Sequence, residues 1–175
     1  LHKDAMQAAH ARSPVCLYDM EEVMAESIFS VKPENLFNRE EPLDIGFVPI
    51  YILTNQDKLN GASVSAQEGV LEKVAELLGT NYYVLPSSIH ELLILPDNGS
   101  MQLSELEAMV REVNATQVAP EDRLSDKVQY YDRETKLLQR GQEKSVLGRL
   151  SDKKAQLQQA DHTAPKQPHR SEVSL

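Results

Sequence analysis

The sequence predicts an α+β domain, mixed α/β in its element order, with a small, mostly antiparallel sheet, a central hairpin and helices packed on it. Three observations carry this. Two short apolar runs, Tyr82–Leu85 and Ile89–Leu95, flank Pro86-Ser87-Ser88, and Pro96-Asp97-Asn98-Gly99 closes the second, which is hairpin punctuation. Val70, Leu71, Val74, Leu77 and Leu78 recur at helical spacing, and Gly79 follows where a helix commonly stops. Phe47 to Thr54, FVPIYILT, is aromatic, β-branched and nearly all apolar, as in a strand buried on both faces.

The remaining elements follow in order. Lys3 to Ala11 is Ala-rich and reads as a helix that Ser13-Pro14 stops, because Pro pushes its predecessor out of the helical region. Asp19 caps a second helix bearing Met20, Val23, Met24 and Ile28, with Glu21 and Glu22 where the helix dipole favours negative charge. Lys32 to Gly46, with Pro33 and Pro42, is a loop. Pro49 has no N–H to donate, so the next strand begins there or runs along an edge. Asn60-Gly61 turns the chain into a brief strand over Ala62–Ala66. Ser104 caps a helix carrying Leu106, Met109, Val110 and Val113 that ends near Asn114, and Val128–Tyr131 adds a last strand. From Gln139 the apolar residues thin out. Ser145 to Ala160 offers a short helix through Val146, Leu147, Leu150 and Leu157, and APKQPHRSEVSL is too polar to offset the entropy of ordering. The expected organisation is a domain over 1–138 and a largely disordered tail over 139–175, with a possible helix at 145–160.

Charge separates the same two parts. Of 18 basic and 27 acidic side chains, seven and four lie in 139–175, making the tail +3 and the body −12. An acidic body is not expected to bind nucleic acid directly, and the absence of Trp with 5% aromatics disfavours base stacking. No apolar stretch approaches the roughly 20 residues of a membrane-spanning helix, so no membrane association is expected. LHKDAMQAAH has no apolar signal core, which leaves a cytoplasmic location as the expectation. A start at Leu1 in mid-pattern is read as the loss of residues upstream.

Candidate chemistry is sparse. Pro86-Ser87-Ser88-Ile89-His90-Glu91 is the most suggestive cluster, with Ser88 and His90 as candidate catalytic residues. On a strand they share a face while Glu91 points away, so an orienting carboxylate such as Asp57 or Glu68 must come from elsewhere. No Gly-x-Ser-x-Gly elbow holds a serine for attack; otherwise the serines shape the turn. Thr54, Asn55 and Lys58 follow a buried strand, where open sheets place ligands, and are candidate binding residues. Tyr83 joins them, because Tyr82-Tyr83 and Tyr130-Tyr131 offer an aromatic surface from whichever member of each pair faces outward. No metal site or cofactor is expected: the five histidines are scattered without HExxH spacing, no phosphate-cradling glycine motif occurs, and Cys16 reads as a small buried hydrophobe.

The blocks IYILTNQDKLNGAS, GVLEKVAELLGTNYYVLPSSIHELLILPD and ELEAMVREVNATQVAPEDRLSDKVQYYDRE, in that order, resemble domain-of-unknown-function family 5688 over roughly Leu1 to Glu134. The resemblance implies anaerobic gut bacteria and the company of conjugative-element genes, and it implies no activity, cofactor or catalytic residue. The opening helices resemble the middle of the family domain, which implies that its usual N-terminal portion is absent. The leading expectation is a non-enzymatic binding or accessory domain whose acidic body engages a protein partner. Two alternatives stand beside it: a hydrolase-type enzyme using Ser88 and His90, and an acidic nucleic-acid mimic that blocks a DNA-binding defence protein.

Overall fold

In the computed structural model, residues 13–46 and 49–141 are described, all within one compact unit. The helices expected at Lys3–Ala11 and 145–160, and the tail from residue 142 onward, lie outside the described residues. Val15–Asp19 is β1, Met20–Phe29 α1, Tyr51–Asn55 β2, Val70–Leu78 α2, Tyr82–Leu85 β3, Leu92–Pro96 β4, Leu103–Thr116 α3, Gln129–Asp132 β5 and Leu137–Arg140 β6. Single 3-10 segments occur at Leu36–Asn38, Gly61–Ala66 and Pro120–Asp122. The strands form one sheet in the order β1-β2-β4-β3-β5-β6, and every neighbouring pair is antiparallel. The hairpin β3-β4 lies in its centre, with Tyr82 opposite Pro96 and Leu85 opposite Leu93.

Because side chains alternate along a strand, each central strand feeds two cores. Leu17, Leu53, Tyr82, Val84 and Ile94 point to one face, under α2 and the Gly61–Ala66 turn. Ile52, Leu85, Leu93, Leu95 and Val128 point to the other, against Leu106 and Val110 of α3. Helices on both faces are why β2 and β4 are apolar at successive positions. Residues such as Leu17, Leu53 and Ile94 are fully buried, and each stabilises the fold by about 1.5–3 kcal/mol.

Several expectations change. β1 was not foreseen: VCLYD forms an edge strand beside β2, so β2 is an interior strand and starts at Tyr51, two residues beyond Pro49. The strand expected at Ala62–Ala66 is a 3-10 segment. Ser63 and Ser65 donate their hydroxyls back to the carbonyls of Asn60 and Ala62, both at 2.8 Å, which competes with strand pairing. The cap of α3 is Gln102, whose N–H donates to the Glu105 carboxylate at 2.9 Å; Ser104 lies within the helix, which runs on to Thr116. β6 spans positions 138 and 139, where the tail was expected to start.

The outer edge of β1 is closed by one side chain. The Asn35 amide oxygen accepts from the Leu17 N–H at 3.0 Å, and its amide nitrogen donates to the Val15 carbonyl at 3.1 Å, so it stands in for a neighbouring strand. α1 starts at the far end of β1, where the Asp19 side chain accepts from the Glu21 N–H at 2.7 Å, and runs back along it. Lys58, in the loop after β2, lies 3.7 Å from the Glu26 carboxylate and 5.6 Å from the Tyr18 ring centre, fixing the last turn of α1 at that end.

Candidate functional site

The sequence-predicted polar residues are distributed over two places. Thr54, Asn55, Ser88 and His90 meet at one end of β2 and β4, in a junction where the loops 56–61, 86–91 and 119–125 converge. Loop 86–91 behaves as a third strand between its neighbours: the Ala62 N–H donates to the Ile89 carbonyl at 3.0 Å, and the Ile89 N–H donates to the Asp122 carbonyl at 2.8 Å. Ser88 and Arg123 form an isolated bridge across the same gap.

His90 sits in this loop rather than on a strand, and its ring bridges both neighbours. The Asn60 N–H donates to Nδ1 at 3.1 Å, which leaves the neutral ring's proton on Nε2, 3.3 Å from the Asp122 carboxylate. Ser88 is buried, and its Oγ accepts from the His90 backbone N–H at 3.0 Å. The Thr54 hydroxyl donates to the His90 carbonyl at 2.8 Å. The Asn55 amide closes the loop after β2, donating to the Leu59 carbonyl at 2.9 Å and accepting from the Leu59 N–H at 3.2 Å. With Nδ1 occupied by an amide and Nε2 turned to Asp122, the ring has no basic lone pair for Ser88 in this arrangement. The local sequence gives no sign of Asn60 or Asp122 as partners, since they lie 30 and 32 residues from His90 in the chain.

Lys58 points away from the junction, to Glu26 and Tyr18. Tyr18 is pushed up to about 12, chiefly by burial, with hydrogen bonding to Cys16 and the Glu26 charge adding to it. Tyr83 lies toward the opposite end of the sheet, in a shallow depression with Pro49, Asp97 and Met101 whose free volume of about 10 Å³ leaves room for no more than about one water. Its ring tilts against Tyr130 at 5.0 Å, and the Tyr130 hydroxyl donates to Asp97 at 2.8 Å, while Tyr82 and Tyr131 stack at 5.0 Å in the core. Among the described residues, no group of three or more His, Cys, Asp or Glu side chains is placed to hold a metal ion.

A third region was not singled out from the sequence. α1 turns Met20 and Val23 toward the second core, yet buries none of its residues fully. Met24, Ile28, Phe29 and the following Val31 stand 65–75% exposed. The signal was present, because Met24 and Ile28 are four residues apart and form a second apolar row beside Met20 and Val23.

A family model, Family of unknown function (DUF5688), matches residues 1–133. The chain belongs to this family. No curated protein and no solved structure matches it. The DUF5688 match covers the junction around His90, the Tyr83 depression and α1 alike. Among the described residues of this DUF5688 chain, no helix is long and apolar enough to cross a membrane.

Proposed function

We propose that this domain is a binding or accessory module without catalytic activity of its own, which engages a protein partner through α1. The observation that supports this is the exposure of Met24, Ile28 and Phe29 on α1 and of Val31 just after it. Single exposed apolar residues are ordinary, but three large ones on a helix of ten residues favour an interaction site. The junction around His90 supports the same reading from the other side, since Thr54, Asn55, Ser88 and the imidazole are each engaged by the chain itself. The mobile-element setting implied by the resemblance is part of this proposal, and co-transcription with conjugation genes tests it.

The experiment is co-purification from the native host with the full chain, alongside Ile28→Ser/Phe29→Ser and a control, Leu137→Ser, on the exposed β6 edge. A partner retained by the wild type and the control but lost by the double variant, at unchanged circular dichroism, is the expected result. Recovery of the protein alone, together with turnover of a substrate that is lost on His90→Ala, overturns the proposal. An acidic nucleic-acid mimic has less support, because the carboxylates of α1 are interleaved with large apolar side chains that a phosphate backbone does not present.

A further inference from the structure

The exposed face of α1 lies in the most acidic stretch of the chain. Residues 19–46 carry eight acidic side chains and two basic ones, a net −6 out of the chain's −9. Part of this charge is already matched: Arg39 holds Glu34 through two hydrogen bonds at 3.0 and 2.6 Å, and Lys58 approaches Glu26 at 3.7 Å. Glu21, Glu22, Glu40, Glu41 and Asp44 are exposed and, among the described residues, have no basic side chain within ion-pairing distance, although the Glu22 carboxylate accepts from the Glu34 N–H at 3.0 Å. α1 itself contains no Lys or Arg.

We infer, resting on the partner-binding reading above, that α1 receives a basic amphipathic helix of a partner protein. Its apolar side chains pack on Met24, Ile28 and Phe29, and its Lys or Arg side chains lie on Glu21 and Glu22, which stand two turns before Ile28 and Phe29 on the same stripes of α1. Three physical arguments select this occupant. The edge of β1 next to α1 is closed by Asn35, so strand addition is blocked there, and ridge-into-groove packing of a second helix is the mode that remains. A second copy of this chain brings Glu21 and Glu22 against Glu21 and Glu22 and offers this face no Lys or Arg from its own α1. An anionic lipid surface is repelled for the same reason, since membrane-surface helices carry Lys and Arg on their polar face.

The test uses the full chain and three fluorescent helical peptides of about 18 residues, five turns. They share one Leu/Ile row and differ in a Lys/Arg, Gln/Ser or Glu polar face. Anisotropy should show binding of the Lys/Arg peptide, weaker by at least about thirtyfold for Ile28→Ser/Phe29→Ser. Glu21→Lys/Glu22→Lys should shift the preference toward the Glu peptide, and added salt should erase the charge preference while sparing the apolar contribution. Equal binding of all three peptides to the wild type overturns the charge assignment and leaves the docking reading standing. No binding by any peptide overturns the inference, and the partner reading then rests on host co-purification alone. Dimerisation in sedimentation that is lost on Phe29→Ser, or flotation with phosphatidylserine vesicles, assigns the face to another occupant and overturns it as well.

Discussion

Gly61→Ala is the sharpest probe of the junction that holds the three loops together. A Cβ at this position overlaps the Thr54 hydroxyl and the His90 carbonyl oxygen, and stands 2.8 Å from the Asn55 amide nitrogen. Two of those three atoms are backbone, fixed by β2 on one side and by loop 86–91 on the other, so they cannot rotate away. The strain falls on the 2.8 Å hydrogen bond from Thr54 to His90, whose donor side chain is fully buried. Overpacking costs about 1–3 kcal/mol, and parting a buried donor from its acceptor costs about 1–3 kcal/mol more. The expected loss is therefore roughly 2–6 kcal/mol, which at a urea dependence of about 2 kcal/mol per molar lowers the unfolding midpoint by roughly 1–3 M. Gly46→Ala is the control, since an added Cβ there meets nothing within 4 Å and should change stability by less than about 0.5 kcal/mol. Equal midpoints for the two variants refute the reasoning, because the loops would then be separable without loss.

Three further outcomes are expected. Asn35→Ala removes the partners of Leu17 and Val15, so it should cost about 1–3 kcal/mol and open the β1 edge to strand pairing; urea unfolding and light scattering read the two effects, and a variant as stable and monodisperse as the wild type contradicts the edge-closing role. His90→Ala should lower stability by about 1 kcal/mol, through loss of the Asn60 and Asp122 contacts, while leaving partner binding through α1 unchanged; lost binding at intact fold argues against a bracing role. Burial is the first cause raising Tyr18, Tyr51, Tyr82, Tyr130 and Tyr131 above the unfolded value near 10. Stability from these groups is thus complete below about pH 10 and falls as pH rises through the folded values, which for Tyr18 reach about 12. Tyrosinate absorbance should then appear together with the loss of near-ultraviolet circular dichroism, and independent ionisation of every tyrosine near pH 10 with the fold intact speaks against it.

The legible parts of this fold are those where local chemistry and tertiary packing agree. α2 has its apolar positions on one face and Gly79 at φ +68° after its last residue, so period and stop signal coincide. The hairpin β3-β4 was legible for the same reason. β1 was not, because five residues cannot show a period, although Val15 and Leu17 do face one core while Cys16 and Tyr18 face away. β6 has only Leu137 and Leu138 as apolar residues and is largely exposed, so it resembles the polar chain that follows. The junction was half legible. Thr54, Asn55, Ser88 and His90 were marked by type, whereas the use of each depends on Asn60, Gly61 and Asp122, which only the folded sheet brings to them. Lys58 and Tyr83 were marked beside them and belong to different surfaces.

The size of the α1 face limits how tightly anything can bind it. Fully burying a large apolar side chain gains about 1.5–3 kcal/mol. Met24, Ile28, Phe29 and Val31 are already about one-third covered, so the four together offer roughly 4–8 kcal/mol. Association costs at least about 4 kcal/mol in lost freedom, and exposed ion pairs at Glu21 and Glu22 return about 0.2–1 kcal/mol each. The net is at most about 6 kcal/mol, which makes the dissociation constant no tighter than about 0.05 mM for a lone helix and weaker than millimolar over most of the range. Calorimetric titration of the basic peptide should give such a value, with a negative heat-capacity change from apolar burial. Micromolar or tighter binding that survives Ile28→Ser/Phe29→Ser refutes this accounting, because the contact would then extend well beyond α1. A physiological partner that binds tightly must therefore reach a second surface beyond α1.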